Sequence, residues 1–120
     1  MGVEKPTVLV VDDDPSLRAL CRINLELDGF AVREAGTLAA AVEAIEAERP
    51  QVVLLDVHLG SEDSSPLLER LRAEGIPVAI VTGSADPDEW RAHADAVLTK
   101  PFTPQALVET ARHLIVDLKG

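Results

Sequence analysis

The chain has 120 residues, with 21 acidic against 11 basic residues and a formal net charge of −10 at pH 7. That balance argues against direct nucleic-acid binding and against attachment to anionic lipid, because both need clustered Lys and Arg. With 47% hydrophobic but only 2% aromatic residues, one domain over residues 1–120 must build its core from Val, Leu, Ile and Ala. Cys21 is the single cysteine, which excludes an internal disulfide and a multi-cysteine zinc site and suits a reducing cytoplasm. No targeting signal opens the chain and no apolar run approaches a membrane span, so the expectation is a soluble cytoplasmic domain.

In chain order, Thr7 to Val11 is an aliphatic run too short for a helix and reads as a buried strand. Asp14-Pro15 then has the chemistry of a helix start, a capping side chain followed by proline, and Leu17, Leu20, Cys21 and Leu25 give that helix an apolar stripe. Ala31 to Ala35 is a weaker strand, reached after Gly29, and a second helical stripe follows at Leu38, Ala41, Val42 and Ile45. Val52 to Asp56 is the next strand, and Ser65-Pro66 repeats the cap-and-proline signature before Leu67, Leu68 and Leu71. Val78 to Thr82 follows Gly75 and Pro77 as a fourth strand, Asp86-Pro87 starts a fourth helix, and Ala96 to Leu98 is a weak fifth strand. Thr103-Pro104 opens the last helix, with Leu107, Val108, Ala111 and Leu114 on one side.

Five strands separated by crossover-length helical segments predict a parallel sheet, and continuous hydrophobicity in its strands says that both faces are covered. The fold class is therefore α/β, a flavodoxin-like (βα)5 three-layer sandwich with helices on both faces of a five-stranded sheet. Ligands of such sheets bind beyond the carboxyl ends of the strands, near the switch in strand order. At those ends stand Asp12-Asp13-Asp14, Asp56, Thr82 and Lys100-Pro101-Phe102. Carboxylates converging on one rim repel by ~4 kcal/mol per pair at ~4 Å and an effective dielectric of ~20, so a cation belongs among them. An oxygen-only site suits a hard divalent ion, Mg²⁺ above all, and carboxylates, a lysine and a hydroxyl together suit phosphoryl transfer.

At these positions the sequence resembles the receiver domain of two-component response regulators, the chemotaxis-regulator type included. The likeness rests on Val8-Leu9-Val10-Val11-Asp12-Asp13, Asp56 at a strand end, Asp63 in the loop after it, Thr82-Gly83 and Lys100-Pro101-Phe102. It implies that Asp56 accepts the phosphoryl group and that Asp12 and Asp13 hold Mg²⁺ together with Asp56 and the backbone carbonyl of His58. It further implies that Thr82 contacts the phosphoryl group, that Lys100 is its counter-charge and that the Lys100-Pro101 peptide is cis. The implied partners are a sensor histidine kinase or phosphotransfer protein upstream, and a downstream protein target or an output domain beyond Gly120. Catalysis would be limited to the domain's own phosphorylation and dephosphorylation.

Three features depart from the family pattern. Val97 stands where an aromatic is usual, the 18 residues from Thr82 to Lys100 are about one helical turn short, and Leu59-Gly60-Ser61 replaces a proline-containing turn, which predicts a more flexible loop. The missing turn is expected in the fourth helix, between Asp86 and Ala94. Asp14 is read as a helix cap, Asp63 as a loop or capping residue, and Cys21 as a small helix residue. The competing functions are a small haloacid-dehalogenase-like phosphatase with Asp12 as nucleophile and Asp14 as acid, and an unphosphorylated pseudo-receiver that binds proteins. A flavodoxin-like cofactor site is disfavoured, since no phosphate-cradling loop follows the first strand.

Overall fold

The computed structural model describes residues 5–59, 62–83 and 88–119. Its elements are β1 (Thr7–Val11), α1 (Pro15–Leu27), β2 (Ala31–Ala35), α2 (Leu38–Ala47), β3 (Val52–Asp56), β4 (His58–Leu59), β5 (Glu62–Asp63), α3 (Ser65–Ala73), β6 (Val78–Thr82), α4 (Asp88–Arg91), β7 (Ala96–Thr99) and α5 (Pro104–Lys119). The main sheet is all parallel in the order β2-β1-β3-β6-β7, so the chain reverses its direction of growth between β1 and β3.

Alternation along the strands splits the core in two. Leu9, Val11, Val53, Leu55 and Ile80 pack with Ala41, Ile45, Leu68 and Leu71 of α2 and α3. Val8, Val10, Leu54, Ala79 and Val81 point the other way, onto Cys21 and Leu25 of α1 and Leu107 and Ala111 of α5. Every residue of β3 and of β6 is buried, as central strands covered on both faces require. Cys21 is a buried core residue whose thiol burial pushes up to about 11, so it stays protonated. Gly29 and Gly75 adopt positive φ after α1 and α3 and end those helices.

Several expectations change in detail. α3 begins at Ser65 itself, and Ser64 is the capping residue. Ser64 makes no side-chain cap, because its buried hydroxyl donates to the carbonyls of Asp56 (2.9 Å) and Val57 (3.4 Å); Asp63 Oδ1 accepts from the Ser65 N–H at 3.0 Å. Leu20 does not cover the sheet: it is 46% exposed and, with Ile23 and Leu27, lies on an outward strip of α1. The fifth strand extends one residue further, to Thr99. The loop after Asp56 is pinned at both sides, since His58 pairs with Asp63 and Leu59 with Glu62 in an antiparallel ladder, and Glu62 accepts from the Leu38 N–H at 3.3 Å. The Gly60-Ser61 part of that turn and the Asp86-Pro87 helix start lie outside the described residues. The described fourth helix is short, four residues from Asp88 to Arg91, with Trp90 packed on the core. No helix among the described residues is long and apolar enough to cross a membrane.

Candidate phosphoryl-transfer site

Sheet register brings the predicted residues to one rim. Val11 pairs with Leu55, Asp56 with Val81, and Thr82 with Thr99, so Asp12, Asp56, Thr82 and Lys100 follow one another across the carboxyl edge. Asp12 is 4% exposed; its N–H donates to Ala35 O at 3.0 Å, and its Oδ1 accepts from the Asp14 N–H at 2.9 Å. Asp56 is equally buried and Thr82 fully so. The Lys100 N–H donates to Thr82 O at 2.8 Å, and the peptide that follows, to Pro101, is cis. The Lys100 ammonium lies 3.1 Å from Asp56 Oδ2 and 3.7 Å from Asp12 Oδ2.

Carboxylate oxygens of Asp12, Asp13 and Asp56 lie within 4.8 Å of one another, with Asp13 on the solvent side. Burial foremost, then the charges of Asp56 and Asp13, raise the Asp12 pKa above its ordinary value, against the Asp14 N–H and Lys100, which lower it. For Lys100, partial burial opposes the charged form, but the hydrogen bond to Asp56 and the charge of Asp12 outweigh it and raise the pKa. The ammonium is therefore firmly charged at neutral pH.

Asp14 stands apart, capping α1 by accepting from the N–H groups of Ser16 (2.9 Å) and Leu17 (3.4 Å). Asp63 is likewise occupied with the start of α3, as a capping role predicts. His58 contributes backbone in β4, two residues past Asp56. Two residues at the site escaped sequence reasoning. Ser64 ties the Asp56 and Val57 carbonyls to α3, and the Arg18 guanidinium donates to the Asp12 carbonyl at 2.7 Å. The Asp63-to-Ser65 spacing of an Asx turn could have signalled the first; nothing local signals the second.

Comparison with known proteins identifies the family and the fold. The family model of the response regulator receiver domain matches residues 8–112. The chain is 37% identical over 116 residues to the probable transcriptional regulatory protein TcrX of Mycobacterium tuberculosis, covering 91% of this chain and 49% of that protein. It is 34% identical over 117 residues to the DNA-binding response regulator MtrA of Mycolicibacterium smegmatis, covering 93% of this chain and 51% of that one. The chain thus spans about half the length of the curated relatives it matches. A CheY-like response regulator receiver domain protein from Methanospirillum hungatei superposes with a TM-score of 0.87 at 28% identity, covering 97% of this chain and 98% of that one. Residues 8–112 carry the family's sequence pattern and the fold is that of its solved members, so the chain belongs to the response regulator receiver domain family.

Proposed function

We propose that residues 1–120 form one receiver domain that works as a phosphorylation switch in the cytoplasm, with Asp56 as phosphoacceptor. The observation that carries this reading is the Lys100 ammonium between two buried carboxylates, Asp56 and Asp12, at the carboxyl rim of a parallel sheet. A carboxylate oxygen of Asp56 attacks the phosphorus of a phosphohistidine in line, the P–N bond breaks toward the imidazole, and an acyl phosphate forms on Asp56. Lys100 then exchanges a carboxylate partner for phosphoryl oxygens, and the Thr82 hydroxyl donates to the same group. Moving both residues together, one at the end of β6 and one after β7, supplies the two-state element that a partner surface reads. Water attack on the acyl phosphate resets the switch.

The donor set fits a hard divalent cation, since three carboxylates present oxygens within 4.8 Å and none of the three residues is a soft ligand. Asp12, Asp13 and Asp56, with the His58 carbonyl, would hold Mg²⁺, which when bound supplies positive charge against the equatorial phosphoryl oxygens. The upstream partner is a histidine kinase or phosphotransfer protein. Its place is the apolar groove of about 410 Å³ lined by Leu17, Leu20, Lys100, Pro101 and Phe102, which opens beside Lys100. The names of the longer relatives point to transcription, so the downstream element is an output domain or a separate target protein.

The dehalogenase-like alternative is disfavoured because Asp14, its required acid, caps α1. Incubation with Mg²⁺ and acetyl phosphate, read by intact mass, tests the reading. One phosphoryl adduct is expected, absent in Asp56→Asn and retained in Asp14→Asn. An adduct that persists in Asp56→Asn would overturn it.

A further inference from the structure

We infer that Arg18 is a positioning residue for the acid pair: braced by Glu34 and admitted by the missing side chain of Gly36, it sets divalent-cation affinity through the Asp12-Asp13 peptide. The inference rests on Asp12, Asp13 and Asp56 being the cation ligands. Arg18 Nη1 donates to the Asp12 carbonyl at 2.7 Å while its Nε meets Glu34 Oε1 at 3.3 Å. Glu34 is held in turn by Arg22 Nη1 at 3.2 Å, so the brace runs from β1 through α1 to β2. A guanidinium fork serves two acceptors at fixed angles, which an ammonium cannot do.

The Asp12 carbonyl lies just past the last residue of β1 and belongs to the peptide from which Asp13 projects. Hydrogen bonds that hold that stretch include Asp12 N–H to Ala35 O, Asp14 N–H to Asp12 Oδ1, and Arg18 to Asp12 O. Lys100 reaches Asp12 at its carboxylate, 3.7 Å away, whereas Arg18 grips the backbone carbonyl itself. Gly36 supplies the independent observation. Positive φ among the described glycines is confined to Gly29 and Gly75, so the backbone at Gly36 does not call for glycine. A Cβ there would stand 2.8 Å from Arg18 Nη1, and its three nearest neighbours are all guanidinium atoms of Arg18. The empty space at Gly36 is the space that lets Arg18 reach Asp12. Because the obstructed group is the end of a flexible side chain, Gly36→Ala should displace the guanidinium and leave the backbone in place.

The test compares the 120-residue wild type with Arg18→Met, Gly36→Ala and the double variant. Mg²⁺ affinity is read by isothermal titration calorimetry, and acetyl-phosphate labelling rates are followed against Mg²⁺ concentration. Each single variant should bind Mg²⁺ about tenfold more weakly, as loss of an outer-shell support does, and the double variant should be no weaker than Arg18→Met. Half-saturating Mg²⁺ for labelling should rise by the same factor, with the rate at saturating Mg²⁺ within about twofold of wild type. Mg²⁺ affinity within twofold of wild type in Arg18→Met, or penalties that multiply in the double variant, would overturn the inference. A merely structural role would lower the unfolding temperature in EDTA without moving half-saturating Mg²⁺, and that too overturns it. Wild type that binds Mg²⁺ and is labelled, beside variants that match it, refutes the positioning role alone; wild type that binds no Mg²⁺ refutes the ligand assignment and the inference with it.

Discussion

Replacing Lys100 by methionine keeps an unbranched apolar stem and deletes the charge that holds the rim together. At the 4.8 Å upper limit of their mutual spacing, each pair among Asp12, Asp13 and Asp56 repels by about 3.5 kcal/mol at an effective dielectric of ~20. On the same scale Lys100 attracts Asp56 at 3.1 Å by about 5 kcal/mol and Asp12 at 3.7 Å by about 4.5 kcal/mol. The attraction of one ammonium is thus of the same order as the mutual repulsion of three carboxylates. The lysine side chain is 33% exposed, and water screens part of its loss; against ~3–5 kcal/mol for breaking a fully buried pair, about 1–3 kcal/mol is expected. For a domain of this size that is a fall in melting temperature of about 4–12 °C. Thermal unfolding by circular dichroism in EDTA at low ionic strength measures it. Adding Asp12→Asn to Lys100→Met should recover more than half of the loss, because one of the two buried repelling charges is then gone. An unchanged melting temperature in Lys100→Met, or no recovery in the double variant, would refute the balance of charges.

Three other outcomes follow from the same geometry. Asp12 has a raised pKa in the folded state, so its stabilising contribution is full below its ordinary value of 3.8 and is lost as pH rises through the folded value. In EDTA, Asp12→Asn should therefore melt above wild type at pH 7.5, with the advantage shrinking toward pH 4; an advantage that grows on acidification contradicts this. Ser64→Ala removes a buried donor from two carbonyls and should cost about 1–3 kcal/mol in urea unfolding, whereas Ser65→Ala should stay within about 0.5 kcal/mol. The reverse order would restore Ser65 as the cap. Leu20→Ser, at a 46% exposed position, should leave stability and acetyl-phosphate labelling unchanged but slow transfer from a phosphohistidine protein, and equal rates from both donors would remove the groove from the docking surface.

Much of the fold was legible because its signals are local. β1, β3 and β6 each contain an uninterrupted aliphatic run, Val8 to Val11, Val52 to Leu55 and Val78 to Val81, and a run buried on both faces needs no partner to identify it. The caps at Asp14 and Thr103 were legible for the same reason, since cap and proline are neighbours in the chain. The cap of α3 was not. Ser64 and Ser65 have the same chemistry, and the choice between them is made by the Asp56 and Val57 carbonyls, which need a donor from across the turn. Leu20 fits the stripe of α1 by period alone, yet the helix turns that edge of the stripe to the outside.

The site divides along the same line. That Asp12 and Asp56 must be compensated follows from local facts: each directly follows four consecutive aliphatic residues, Val8 to Val11 and Val52 to Leu55, and a carboxylate buried there without a partner is unfavourable by several kcal/mol. Which group compensates them is not local. Lys100 lies 44 residues beyond Asp56 and reaches it only because β6 and β7 are added on the far side of β3 from β1. Arg18 is the more extreme case. On α1 it is indistinguishable by sequence from a solvated charge, and its role appears only when β2 brings Glu34 and the bare backbone of Gly36 against it. A chain of this kind declares in its strands what must be neutralised, and leaves to strand order the choice of what neutralises it.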